Sequence, residues 1–321
     1  MCVNRSFYFI LIMSLLPFML QAQDNALNSL SITVEGTGPG GYTFFADNNS
    51  PDDFHVIITM TRLIQLRCEC TLPFASNVGP GRTKLFSLKR DGLSDSHDYN
   101  YEWSFMVGHV NPKVKKDAVY LMPIANGVIT ETIELKNIQE AYGDELPAEE
   151  ELPAENFYGI GFKMHRGDTI YAARDGKVRS IKDGRESRKE NSVFSRDENE
   201  ISILHKDKTI ATYSIIRNGS FLVKERESIV AGQPLAIVGG DNYTVGPHVR
   251  FMLSYLYFDE RHASDHTYKW HYLKPAFATE RHKPKVLEDK VAYKAVRPED
   301  VLIQDLSKRA IKRRKKKQNG G

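Results

Sequence analysis

"DTIYAARDGKVRSI" (residues 168–181) and "PHVRFMLSYLYF" (247–258) are the stretches whose reading decides the fold class. The first predicts a strand, an Asp-Gly turn and a second strand, the usual signal of a β-hairpin. Between the two, "ENEISILHKD" (198–207) and "TIATYSII" (209–216) read as another hairpin, and "ESIVAGQPLAIVGG" (227–240) continues the β pattern. On a strand, residues i and i+2 project from one face, so His248 and Arg250 point into one space. A second histidine there would suggest a zinc site. An arginine suggests the opposite, because guanidinium stays protonated and offers a metal no lone pair.

Upstream the pattern is again β. "LSITVEG", "YTFFADN", "FHVIITMTRL", "TKLFSLKR", "YNYEWSFMVG" and "DAVYLMPI" are rich in β-branched and aromatic residues, and "GTGPGG", "NNSPDD" and "VGPGR" between them have turn compositions. Residues 29–138 are therefore expected to form a β-sandwich of roughly seven strands. Tyr99, Tyr101, Trp103 and Phe105 alternate at period two, which fits an inner sheet face better than a sugar-stacking platform. The acidic, Pro-containing segment 139–156 holds "ELPAE" twice and reads as an extended, self-repelling linker. Beyond it, 157–285 is expected to be a second, antiparallel β domain interrupted by a charged loop over 184–200, and 286–321 a C-terminal extension with a basic tail. The fold class is mainly β.

Composition narrows the setting. With 41% hydrophobic and 26% charged residues the chain is globular rather than disordered or membrane-embedded. Met1 to Arg5 followed by the apolar run 6–20 and a small residue at Ala22 has the layout of a secretory signal, cut after Ala22. The run is too short for a membrane anchor of roughly 20 residues, so no transmembrane span is expected after cleavage. Export implies an oxidising compartment, yet only Cys68 and Cys70 remain. A bridge between them would close a very small, strained ring, so they are expected to be a reduced or partly buried pair. The eight basic residues at 308–317 belong to the 44 of the whole chain; the other 36 face 41 acids. The net positive charge is thus a property of the tail, which reads as a solvated end or as a contact for an anionic envelope surface. Nucleic acid is not an expected partner of an exported chain.

"FYGIGFKMHRGDTIYAARDGKV" (157–178), "SILHKDKTIATYSII" (202–216), "ESIVAGQPLAIVGG" and "VGPHVRFML" (245–253) resemble, in order and spacing, the blocks of the M23 (LytM or lysostaphin-type) peptidoglycan endopeptidases. Glycines 159, 176, 232, 239, 240 and 246 fall where those blocks have theirs. The resemblance implies a zinc held by H-x-G-x-D and by the second histidine of H-x-H, with the first histidine of H-x-H and one in Tyr-x-His handling the attacking water. The chain departs at almost every position. Phe157 and Gly161 stand where the first two ligands belong, Ile215 where Tyr-x-His ends, and Arg250 where the third ligand belongs; His248 alone is retained. A divalent ion about 4 Å from that guanidinium would meet several kcal/mol of repulsion even at an effective dielectric near 20. No metal and no cofactor are expected, and a relocated site using His165 and His205 is disfavoured. The resemblance then implies a non-catalytic member that binds peptidoglycan or a cell-wall hydrolase in the periplasm or envelope of a Gram-negative bacterium. His248, Arg250, Tyr213 and Tyr158 are the candidate ligand-binding residues, with Arg250 equally readable as filling the vacated pocket and pairing with a local acid. The competing readings are an active zinc endopeptidase with an unrecognised ligand set, and a structural envelope protein.

Overall fold

The structure, a computed structural model, describes residues 29–38, 40–92, 96–135, 157–185, 198–259, 268–280 and 283–312. The expected signal (1–22), the linker (139–156), most of the charged loop (186–197) and tail residues 313–317 lie outside them. The fold is mainly β. No helix among the described residues is long and apolar enough to cross a membrane. Two compact units result, residues 1–111 with 256–268, and residues 112–255 with 269–321.

In the first unit β1 (Leu30–Gly36), β2 (Tyr42–Asn48), β6 (Gly81–Arg90) and β4 (Leu66–Cys68) pair in that order, while β5 (Phe74–Val78), β3 (Phe54–Ile64) and β7 (Asp98–Val107) form a second antiparallel sheet. Phe44, Phe86 and Leu88 from the first sheet and Phe54, Val56 and Ile58 from the second meet in one buried cluster. Alternate residues of a strand face alternate sides, so each apolar set has only one side to fill. Tyr99, Tyr101, Trp103 and Phe105 pack onto this cluster, as an inner face should; the Tyr101 and Phe105 rings lie 5.1 Å from Phe44 and 5.7 Å from Phe54. Cys68 and Cys70 correct the sequence expectation, since they are joined in a disulfide. β4 ends at Cys68 and the chain bends beyond it, bringing the two Cα atoms to 5.2 Å, a separation that a bridge spans without moving the backbone.

The second unit starts earlier than the linker. "DAVYLMPI" contributes only the short β8 (Val119–Tyr120), and Tyr120, Met122 and Ile124 enter the second core. β9 (Ile129–Leu135) pairs with β10 (Gly159–Lys163), so the expected boundary at 139–156 separates two neighbouring strands of one sheet rather than two domains. The main sheet runs β15 (Ser228–Ile229), β12 (Gly176–Lys182), β13 (Glu200–Leu204), β14 (Ile210–Ser214), β17 (His248–Phe258), β10, β9 and β20 (Ala292–Lys294), with β18 (Tyr268–Leu273) also on β17. β20 and α1 (Glu299–Ile303) draw part of the expected extension, 286–321, into this unit. The hairpin expected at 168–181 does not form. β11 (Thr169–Tyr171) pairs with β16 (Pro234–Ile237) in a separate ribbon, β8 pairs in parallel with β19 (Ala276–Phe277), and β12 pairs with β13 and β15. Neither Asp175 nor Gly176 has the positive φ that a two-residue Asp-Gly turn requires, and the intervening Arg174 enters a buried ion pair with Asp305 and Asp207.

Gly176 opens β12 where there is no room for a side chain. A Cβ there would lie 2.6 Å from Ile203 Cγ2 and 2.8 Å from the Leu204 carbonyl oxygen. Gly176→Ala is expected to destabilise the second unit by about 2–3 kcal/mol through this overpacking. The measurement is the urea midpoint at unchanged m-value; an unmoved midpoint would mean that β12 slides off β13 at little cost.

Candidate functional site

β17 carries the site. Val249, Phe251 and Leu253 enter the main core together with Tyr213, Ile160 and Phe162 of the flanking strands, so His248 and Arg250 face the other side. Gly161 and Ser214 stand directly opposite Arg250, Glu200 lies beyond Ser214, and Ile133 beyond Gly161. One row on one face therefore reads Glu200, Ser214, Arg250, Gly161, Ile133. Burial holds Glu200 protonated more readily than an ordinary carboxylate, against the opposing charges of Lys182 and Arg179.

His248 and Arg250 are buried, with 2% and 6% of their surface exposed. His248 Nδ1 lies 2.8 Å from the Gly246 carbonyl; the carbonyl can only accept, so Nδ1 donates and Nε2 keeps its lone pair. Burial, then the Arg250 charge, push the His248 pKa down to about 4 against the pull of the Gly246 hydrogen bond. The imidazole is neutral at pH 7. Tyr243 meets it edge-on with centroids 5.2 Å apart, and the Arg250 guanidinium carbon sits 5.3 Å from the same tyrosine ring. The Tyr243 hydroxyl donates to the Glu198 carboxylate.

The sequence candidates divide between the two faces. Phe157, two residues ahead of β10, packs its ring 4.9 Å from that of Tyr272. Ile215 follows β14 and is buried, at φ +68°, a conformation rarely taken by a β-branched residue, and its carbonyl accepts the Gly239 N–H at 2.8 Å. It has no polar side-chain atom to replace the missing histidine. Tyr158 and Tyr213 do not join His248 and Arg250, because strand alternation sends both into the core. The Tyr213 oxygen accepts the Ala173 N–H at 2.8 Å. The Tyr158 hydroxyl is buried with no hydrogen-bond partner among the described residues, and burial pushes its pKa well above the ordinary phenol value. Tyr158→Phe is therefore expected to leave the second unit as stable or about 1–2 kcal/mol more stable, since it removes a desolvated polar group. A clear loss of thermal stability would show that the hydroxyl has a partner.

A zinc ion does not fit this donor set. A phenyl ring, a hydrogen atom and a guanidinium occupy the three ligand positions, and one neutral imidazole is left. His165 and His205 supply no substitute: the His165 side chain is 91% exposed, whereas His205 is buried with Nδ1 donating to the Asp175 carbonyl at 2.7 Å. Burial holds the His205 pKa down to about 4. Among the described residues no three His, Cys, Asp or Glu side chains come together as a metal site. Sequence reasoning missed Ile133, Glu198 and Tyr243. Ile133 sat in a segment assigned to another domain, and nothing in "DNYTVG" marks Tyr243 as a neighbour of a residue seven positions on.

Residues 155–264 match the model of Peptidase family M23. No curated protein is similar to the chain at a significant level. Among solved structures, the catalytic domain of the antimicrobial peptidase lysostaphin from Staphylococcus simulans is 23% identical, covering 32% of this chain and 71% of that one, with a TM-score of 0.23. A longer structure of lysostaphin is 21% identical over 32% of this chain but 41% of its own length, with a TM-score of 0.24. Helicobacter pylori Csd3 is 12% identical over 91% of this chain and 77% of that one, with a TM-score of 0.27. Residues 155–264 thus match Peptidase family M23, and the glycine-anchored blocks lie within the matched span.

Proposed function

We propose that the chain is an exported, non-catalytic M23-type protein whose groove binds rather than cuts, taking a carboxylate of a cell-wall peptide or of an envelope partner such as a cell-wall hydrolase. The observation that carries this reading is Arg250, a buried guanidinium opposite Gly161 in the row where a hydrolytic zinc would need two of its ligands. A fixed cation there repels a metal and attracts an anion, and charge-assisted hydrogen bonds to a carboxylate are the strong ones. The neutral imidazole of His248 adds directional polarity without a second charge. The secretory layout expected of residues 1–22 supports a periplasmic or envelope location for this activity, and the basic tail at 308–317 offers a further contact for an anionic surface.

The test is metal content measured on the full chain alongside sedimentation with purified sacculi. The expected result is no stoichiometric zinc, no fall in sacculus turbidity, and co-sedimentation that Arg250→Ala reduces at least 10-fold, the scale of one lost charge-assisted contact. Tightly held zinc that His248→Ala removes would overturn the proposal.

A further inference from the structure

The Arg250–His248 pair lies under Tyr243. Tyr243 is itself 5% exposed, covers the imidazole with its edge, and lies over the guanidinium. It sits midway between Gly240 at φ +90° and Gly246 at φ +76°, in two successive turns closed by Tyr243 N–H to the Gly240 carbonyl (3.0 Å) and Gly246 N–H to the Tyr243 carbonyl (2.9 Å). A glycine stands at each end because only glycine takes positive φ freely, so the two turns flanking Tyr243 rest on Gly240 and Gly246. The outer side of this segment is tied by Asp241 to Arg166 at 3.3 Å and to Arg217 at 4.0 Å, exposed pairs that contribute little. Its inner side is tied by the Tyr243 hydroxyl to Glu198, which stands two residues ahead of β13.

We infer that Tyr243 is the lid of the Arg250–His248 site and Glu198 its latch, so that a ligand carboxylate reaches the guanidinium only after the Tyr243–Glu198 hydrogen bond opens. The inference rests on the carboxylate-binding reading of the site and adds what controls entry. Tyr243 and Glu198 are positioning residues: they hold the lid and do not themselves need to touch the ligand.

Carbethoxylation of histidines by diethyl pyrocarbonate near pH 7 reads lid opening without any ligand. His248 is neutral at that pH and so chemically competent when uncovered, and the exposed His165 is an internal reference in the same chain. In the full chain, Glu198→Gln and Tyr243→Phe should each speed modification of His248 relative to His165 about 10-fold, the factor lost with one charge-assisted hydrogen bond, and the double variant should go no faster. Unchanged rates in both variants, or a His248 already as reactive as His165 in the native chain, would overturn the lid. Titration with N-acetylalanine as a carboxylate probe separates the two readings. Binding that tightens in step with the rates supports both. Faster modification with no binding by any form leaves the lid standing and removes the carboxylate reading. Binding that is lost in Arg250→Ala but is equal in the native chain and the latch variants removes the lid and leaves the carboxylate reading.

Discussion

Arg174→Ala should destabilise the second unit by about 3–5 kcal/mol, the usual cost of removing one partner of a buried ion pair. Arg174 is 1% exposed and makes four hydrogen bonds: Nε to Asp305 Oδ2 at 2.6 Å, Nη2 to Asp305 Oδ1 at 3.0 Å, Nη1 to Asp207 Oδ2 at 2.9 Å and Nη1 to the Tyr120 hydroxyl at 3.1 Å. Burial by itself raises the pKa values of Asp207 and Asp305, but the hydrogen bonds and charge they receive outweigh it and hold both below the ordinary carboxylate value. Remove the guanidinium and two nearly dry carboxylates face each other with only Lys115 near Asp305, at 3.7 Å. Replacing all three together, Arg174→Met with Asp207→Asn and Asp305→Asn, should recover most of the loss, because the penalty lies in the stranded charge and not in the absence of a salt bridge. Equal losses in the single and triple variants would contradict this account.

The same cluster sets an acid limit for the fold. Carboxylates with depressed folded pKa contribute stability that is present above their unfolded pKa and disappears as pH falls through the folded one. His205, beside them, is held down to about 4, so between its ordinary value near 6.5 and that point the unfolded chain takes up a proton the folded chain refuses. Both effects act in one direction. Each such group should steepen the loss of stability with falling pH by about 1.4 kcal/mol per unit.

Much of the β architecture was legible because its signal is local. Period-two alternation and turn residues marked β13, β14 and five strands of the first unit (β1, β2, β3, β6 and β7), but not the short β4 and β5, and the alternation of β17 put His248 and Arg250 on one face. What could not be read was pairing between distant segments. "ITETIEL" carries nothing that assigns it to the second sheet; that follows from Gly159 and Gly161, whose missing side chains make room for Leu135 and Ile133 beside them. The hairpin at 168–181 is likewise replaced by distant partners, β16 for β11 and β13 and β15 for β12, and Arg174 between them bonds to Asp305, 131 residues away. Tyr158 and Tyr213 were assigned by proximity to the family motifs when alternation already placed them on the core face.

Placing the family's ligand types at the three positions, Phe157→His with Gly161→Asp and Arg250→His, should give a chain that holds zinc stoichiometrically. Gly161 and Arg250 are directly opposite on antiparallel strands, so side chains placed there start from Cβ atoms about 5 Å apart, a spacing from which two ligands converge on one ion. Removing the guanidinium also removes several kcal/mol of repulsion, and two histidines with an aspartate and an open fourth position form a complete hydrolytic donor set. One obstacle is visible: a Cβ at Gly161 would come 3.3 Å from Ile133 Cβ, tighter than an ordinary contact. Adding Ile133→Ala should therefore strengthen zinc binding further, whereas each variant with only two of the three ligands should bind about 10- to 100-fold more weakly than the full set. Metal content after exhaustive dialysis and calorimetric titration, with proton release as pH is varied, measure this. If the full set stays empty with and without Ile133→Ala while the protein remains folded, the row does not converge on one point. Arg250 would then be no replacement for a ligand, and the account of the groove as an altered zinc site would fall with it.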